Sequence, residues 1–398
     1  MLLSLLASFP WQVVTVGFTG LCLLLSLTAI AYYSFAIFAA SQFFSKPTAT
    51  NPDFCPPVSV LKPLCGVDSS TYDNLASFCR QEYPSYQIIF GIQDACDPSL
   101  AVVKQLMEEF PALEIDFVVS DRQIGSNLKV SNLANAVVEA KYDILVLADS
   151  DIWVGTDYLK QVIQPLQETQ VGVVTCLYRS RTEGKMAGFE ALSISTEFLP
   201  SVLVARQLEG MAFALGATIV IRASVLTAIG GFSAVANYLE DDFKLGNLPA
   251  QAGYQVVLSD YVVDHVLSTS SLMELIHHQT RWGRSTRAAR PWGYLGLIFT
   301  HGTTTSLLFW LMTGASLIGW VVLATTWTMR FMMAWLVGVK YLCDPVAQKF
   351  FWLLPLRDLT SFGLWCYSFW GNTVEWRGRS LKITKGGKLA DLTPKVLL

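Results

Sequence analysis

The sequence predicts an α/β domain with a mainly parallel, partly mixed sheet. That domain sits between an N-terminal transmembrane helix and C-terminal transmembrane or interfacial helices. Three observations carry this reading. Short apolar runs alternate with helix-length amphipathic stretches through the middle of the chain. Both ends are apolar over lengths that match a bilayer. Finally, the run Ile144-Leu145-Val146-Leu147-Ala148 stops in Asp149-Ser150-Asp151, two carboxylates at a strand end, where open α/β sheets bind ligands.

The 398-residue chain is 52% hydrophobic and only 15% charged, closer to a membrane protein than to a soluble enzyme. Its formal net charge of -3 argues against a nucleic-acid surface. Met1 to Ser45 contains no charged residue, and Val13 to Phe38 is long enough to cross a bilayer as a helix. A cleaved signal peptide needs a basic leader and a shorter apolar core, so a retained anchor is expected. Lys46 is the first positive charge, which places the following domain on the cytoplasmic face. The eight cysteines form no CxxC pair and no Cys/His metal spacing, in keeping with reduced thiols in that compartment.

Residues 45–57 read as a linker with Lys-Pro, Asn-Pro and Pro-Pro punctuation. Strands are expected at 58–64, 87–93, 114–119 and 142–148, with helices at 72–81, 98–110 and 129–139 between them. The second half carries strands at 171–177, 217–222 and 255–258 and helices at 188–207 and 243–252. Residues 291–301 suit an interfacial helix carrying Trp292 and Tyr294. Residues 304–326 suit a second span and 329–342 a short third. Residues 349–370 are apolar but broken by Pro355, Arg357 and Asp358, and a charged pair is costly at mid-bilayer, so an interfacial or re-entrant helix is expected there. The tail, with Arg377, Arg379, Lys382, Lys385 and Lys388, is basic and expected to stay cytoplasmic. The resulting divisions are an anchor (1–45), a cytoplasmic catalytic domain (46–290), interfacial and transmembrane helices (291–372) and a basic tail (373–398).

Three acidic points fall at element boundaries: Asp94, the pair Asp149/Asp151, and Glu240-Asp241-Asp242. Such a set suits group transfer from a nucleotide diphosphate. One carboxylate orients the nucleotide, a pair holds a hard cation such as Mg²⁺ or Mn²⁺ against phosphate, and another takes a proton from the attacking hydroxyl. In His278-Gln279-Thr280-Arg281-Trp282, Arg281 offers a planar charged fork for phosphate and Trp282 an amphipathic face for sugar or lipid. Each residue also has a plainer reading. Asp94 suits a turn, Asp149 and Asp151 a solvated loop, and Asp241 a helix N-terminus. Lys129 suits a surface position, His278 a packing role, Trp282 an interfacial anchor and Gly216 close packing. Their joint order favours the functional reading.

That order resembles the ceramide glucosyltransferase family, membrane-bound relatives of glycosyltransferase family 2. The matching residues are Val60-Leu61-Lys62-Pro63-Leu64, Gly66-Val67-Asp68, Gln93-Asp94, Asp97-Pro98, Asn127-Leu128-Lys129-Val130-Ser131-Asn132-Leu133, Asp149-Ser150-Asp151, Glu240-Asp241 and Arg281-Trp282. The resemblance extends from the anchor to the Trp376-Arg377 tail. It implies a GT-A fold and inverting transfer of one hexose from a UDP-sugar, best matched by UDP-glucose, to a membrane lipid hydroxyl at the cytosolic face. It implies Asp241 as general base and a nucleotide-sugar site of Asp94, Lys129, Asp149, Arg281 and Trp282. Asp149 and Asp151 would hold Mg or Mn, and Glu240, His278 and Gly216 would orient the acceptor. Leu128 replaces the proline usual before the lysine. His278 stands where the family has Gln or Arg, and Asp151 is not universal among ceramide glucosyltransferases. These features, with Phe213-Ala214-Leu215-Gly216-Ala217-Thr218, also resemble bacterial hopanoid-pathway N-acetylglucosaminyltransferases. That leaves ceramide, diacylglycerol and hopanoid open as acceptors. A processive polysaccharide synthase would need more C-terminal spans, and a non-catalytic scaffold would not need the carboxylates.

Overall fold

The computed structural model describes residues 11–182, 184–268 and 271–391. Its centre is an eight-stranded sheet in the order β3-β2-β1-β4-β7-β6-β8-β5. The strands are β1 (Val58–Leu64), β2 (Tyr86–Ile92), β3 (Glu114–Val119), β4 (Ile144–Leu147), β5 (Ile152–Trp153), β6 (Val171–Thr182), β7 (Ile219–Arg222) and β8 (Gln255–Leu267). β1 pairs in parallel with β2 and β4, and β2 with β3. Beyond β4 the direction changes, because β7 is antiparallel to both β4 and β6, while β6 and β8 are parallel. This is the mainly parallel, partly mixed sheet expected of a GT-A fold. β4 therefore lies where parallel pairing gives way to antiparallel, and it delivers Asp149 at that switch.

The central strands β1, β2 and β4 are mostly apolar because both of their faces are covered. Val60, Ile88 and Val146 enter one core cluster, while their neighbours Leu61, Ile89 and Leu145 enter another on the opposite face. That is the period-two alternation of a strand expressed in packing. β6 and β8 extend well past their expected ends, and β5 is an added short strand. Just past those expected ends come Arg179 in β6 and Ser259-Asp260 in β8, polar residues that end the apolar run early when read from sequence alone.

Among the described residues two helices are long and apolar enough to cross a membrane, Gln12–Phe44 with 33 residues and Leu317–Tyr341 with 25. The segments Pro291–Thr300 and Gly302–Met312 form a further bent pair, at 52°. The span expected at 304–326 is thus broken, and its second half joins the short third. The cause is local: Gly314 and Ala315 take positive φ (64° and 57°), and Ser316 caps the next helix by accepting from Gly319 N. The N-terminal helix packs against both segments. Gly302 permits its close approach, since a Cβ there would lie 2.7 Å from Ala29 Cβ and 2.8 Å from the Tyr33 hydroxyl. Tyr33 Oη donates to Thr300 O at 2.8 Å.

Asp358 escapes the cost of a lone buried carboxylate by pairing with Arg330, Nη2 to Oδ1 at 2.7 Å, while Thr303 Oγ1 also donates to it. Arg330 Nη1 donates to Thr196 O at 2.9 Å, so one guanidinium ties the apolar C-terminal helices to the segment Ile194–Phe198. The C-terminal residues do more than lie at the surface. β9 (Thr373–Trp376), β10 (Arg379–Ile383) and β11 (Leu389–Asp391) form an antiparallel sheet. It docks on the α/β domain through Leu389 N to Asn237 O at 2.7 Å and a small core of Leu239, Val374, Leu381, Ile383 and Leu389. Arg284 on the helix Leu272–Ala289 donates to Thr373 O and Trp370 O, each at 2.6 Å.

Removing one partner of a buried ion pair leaves the other charge uncompensated. Asp358→Leu should therefore cost about 3–5 kcal/mol, and Asp358→Leu with Arg330→Met should recover part of it. Thermal unfolding in detergent of the parent, single and double variants measures this directly.

Candidate functional site

The site is assembled at the C-terminal ends of β1 and β4 by two helix N-termini. The helix Leu128–Ala136 begins at Asn127, whose Oδ1 accepts from Val130 N at 3.1 Å. The same buried amide donates through Nδ2 to Asp241 Oδ1 at 3.1 Å and to Tyr238 O at 2.8 Å. Asn127 thus caps one helix and fixes the first residue of the next, Asp241–Gln251. Gly246 lets that second helix close in, because a Cβ there would enter the Phe213–Ala214 backbone.

Lys129, in the first turn of the first helix, reaches Asp149 Oδ1 at 2.6 Å and Asp241 Oδ2 at 3.5 Å. It is no surface lysine. Burial works against its charge, but Asp149, Asp241 and Asp242 outweigh that and hold the ammonium well above its ordinary range. Lys129, Asp149, Gly216 and Asp241 line one recess. Gly216 lies between two carboxylates, since a Cβ there would sit 3.1 Å from Asp242 Oδ2 and 3.3 Å from Asp149 Oδ2. Burial raises the Asp242 carboxyl to about 6, with Asp241 adding to it, and burial likewise raises that of Asp149.

A second cation lies beneath the first. Lys62, fully buried on β1, donates to Asp149 O at 2.7 Å and sits 3.6 Å from the Phe78 ring centroid. Burial lowers its pKa to about 7, opposed by Asp151 and Asp149. On the far side, His265 Nε2 lies 3.4 Å from Asp151 Oδ2, brought there by pairing of β5 with β8. Burial would raise the Asp151 carboxyl, but His265 overrides it, helped by Lys129 and Lys62, and holds it near 2. Asp151 Oδ1 and His265 Nδ1 are buried without a hydrogen-bond partner. Two ionisable carboxylates on one turn, one with an unpaired buried oxygen, fit a hard divalent cation. Among the described residues no three acidic, His or Cys side chains form a closed metal cage.

The remaining expected residues are distributed around this centre. Asp94 lies in the loop after β2, and its Oδ1 accepts from Cys96 N at 2.8 Å, the turn contact its plainer reading gives. Neighbouring Asp97 accepts from Gly66 N at 2.8 Å and so ties that loop to the one leaving β1. Glu240 lines a different recess from Lys129, one it shares with Lys244, Ser285 and Gly387. Arg281 stands between two indoles, Trp282 and Trp376, each ring centroid 6.0 Å from its Cζ. Burial, then Arg377, lowers its pKa, while Glu190, Asp149 and Asp151 favour its charge, so it shares the field of the carboxylate pair. His278 stacks on Trp282 at 6.4 Å and lies 3.6 Å from the fully buried Glu190.

Sequence reading missed Lys62, Asn127 as a support, Glu190 and His265. The signals were present but faint. Lys62 is a charge inside a strand otherwise apolar, and Asp264-His265 a polar step in a run of valines.

Glu240 is held at about 7, first by burial and then by Asp242, against an ordinary value of 4.5. Between those values the folded protein keeps a proton that the unfolded chain has released, so stability falls as pH rises through that window. Glu240→Gln should flatten the slope and raise the melting temperature at pH 8 relative to pH 5, as read from thermal unfolding at both values.

The family described as Glycosyl transferase family 21 matches residues 21–389. Ceramide glucosyltransferase 1 of Caenorhabditis elegans is 24% identical over 348 residues, covering 84% of this chain and 73% of that protein. Ceramide glucosyltransferase of Komagataella phaffii is 32% identical over 145 residues, covering 35% of this chain and 28% of that one. In fold, the chain matches a mannosyltransferase from Pyrobaculum calidifontis, solved with GDP-Man and Mn²⁺, with a TM-score of 0.53 and 18% identity, covering 87% of this chain and 96% of that one. The catalytic sheet is GT-A-like, the protein is a membrane glycosyltransferase of glycolipid type, and the chain belongs to glycosyltransferase family 21, its likeness to ceramide glucosyltransferases holding over most of its length.

Proposed function

We propose that this protein moves one hexose from a UDP-sugar, best matched by UDP-glucose, to the hydroxyl of a membrane lipid such as ceramide, with inversion at the anomeric carbon. The observation that carries the reading is Lys129 joining Asp149 to Asp241. It sets a candidate base beside a candidate donor-binding carboxylate, within the reach of one sugar ring.

In this reading Asp241 takes the proton of the lipid hydroxyl as its oxygen attacks the anomeric carbon. The bond from that carbon to the diphosphate oxygen breaks, and its electron pair leaves with UDP. Asn127 and Lys129 hold Asp241 in place before the attack, because Asn127 donates to its carboxylate and the Lys129 ammonium lies 3.5 Å from it. A divalent cation, Mg or Mn, held by Asp149 and Asp151 would neutralise charge on the leaving diphosphate. Arg281 supplies a fixed positive charge to the same group, and Trp282 an apolar face for the sugar or lipid. Asp94 belongs to the nucleotide end of the site.

A lipid acceptor explains why the catalytic domain is built onto membrane helices. Docking of β9–β11 on that domain requires the intervening chain to cross the bilayer an even number of times. Leu317–Tyr341 and the bent pair Pro291–Met312 satisfy this if the pair counts as one crossing. Lys46, directly after the first span, supports a cytoplasmic face for the site.

Purified protein incubated with several UDP-sugars and a panel of ceramide, diacylglycerol and hopanoid acceptors, read by mass spectrometry, tests the donor and acceptor. One hexose per lipid is the expected product; a polymer or no product removes the reading. Asp241→Asn should lower turnover by about 10²–10⁴-fold while UDP binding persists. Retained turnover would take Asp241 out of the base role.

A further inference from the structure

β9 and β10 are joined by a two-residue turn, Arg377-Gly378, between the paired residues Trp376 and Arg379. Both turn residues are left-handed, with φ of 48° and 73°. Tight hairpin turns of this kind favour Asn-Gly or Asp-Gly, because a long L side chain is crowded at positive φ. An arginine there is a backbone outlier, and such outliers persist where the surroundings hold them for a purpose.

The turn puts the guanidinium at the rim of the site. Arg377 Nη1 donates to Cys65 O at 2.6 Å, on the loop that leaves β1. That loop is also pinned by Asp97, whose carboxylate lies in the field of Arg377. The preceding residue, Trp376, lies with its ring centroid 6.0 Å from Arg281 Cζ. The two arginines feel each other's charge, while Arg281 also feels Asp149 and Asp151. Two permanently charged forks on one rim repel each other, and an anion between them turns that repulsion into attraction. A diphosphate has the charge and the oxygen spacing to accept from both forks.

We propose that Arg377 is a second anion-binding residue of the donor site, closing with Arg281 on the diphosphate of a nucleoside diphosphate sugar. The C-terminal hairpin is then the strap that carries it there. This rests on the donor assignment made above.

Arg377→Asn separates binding from folding, because it supplies the residue that the turn prefers while removing the fork. Titration calorimetry of the full-length purified protein with UDP and Mn²⁺, and separately with uridine, reads the effect. The expected result is a roughly tenfold or greater loss of UDP affinity, the scale of one charged hydrogen bond. Uridine affinity should be unchanged and the melting temperature equal or higher. Arg377→Lys should fall between the parent and Arg377→Asn. Equal UDP affinity in parent and Arg377→Asn overturns the proposal and leaves the donor assignment standing. Equal losses for UDP and uridine also overturn it, since they mark a purely structural strap. A parent protein that binds no UDP overturns the donor assignment and this proposal together.

Discussion

The structure depends on one buried charge balance. Asp149, Asp241 and Asp242 gather at the ends of the central strands, and burial makes Asp149 and Asp242 costly to ionise. Lys129 offsets the group from the first turn of a helix, and Lys62 supports Asp149 from below. Both lysines sit on rigid elements, so the carboxylates are held apart from one another at fixed places. Removal of either cation would leave like charges crowded in a low dielectric. The polar supports follow the same logic. Asn127 spends one side chain on a helix cap and an Asp241 contact, and His265 neutralises Asp151 from the opposite strand.

The same principle recurs at the membrane. Arg330 and Asp358 satisfy one another among apolar helices, and the spare donors of Arg330 reach the Thr196 carbonyl. Nearby, Arg357 donates to Gln279, which donates to Glu190. Helix Leu272–Ala289 therefore meets the membrane helices through polar contacts as well as packing. Along its length it carries Arg281 toward the site and Arg284 toward the C-terminal sheet. A displacement of that helix would reach both.

Much of this was legible in the sequence. Apolar runs ending in acidic residues located β1, β2 and β4 and the carboxylates they deliver, because buried parallel strands leave an unmistakable composition. Pairings across distance were not legible. Nothing local announces that Lys129 meets Asp241, or that His265 meets Asp151. The span break at Gly314-Ala315 depends on two positive φ values in an apolar stretch, which hydropathy cannot register. The strands of the tail were hidden for a related reason. Its lysines and arginines suggest a solvated segment, whereas Val374, Leu381, Ile383 and Leu389 alternate at strand spacing beneath them.

That tail has a consequence for biogenesis. Cys65 is made early and Arg377 near the end, so their contact forms only after every intervening helix has been synthesised and settled in the bilayer. Contacts this remote in sequence form late, since loop closure must come first. A nascent or shortened chain would own the carboxylates yet lack the rim that completes them. Full assembly of the rim thereby becomes a checkpoint on the whole chain's insertion.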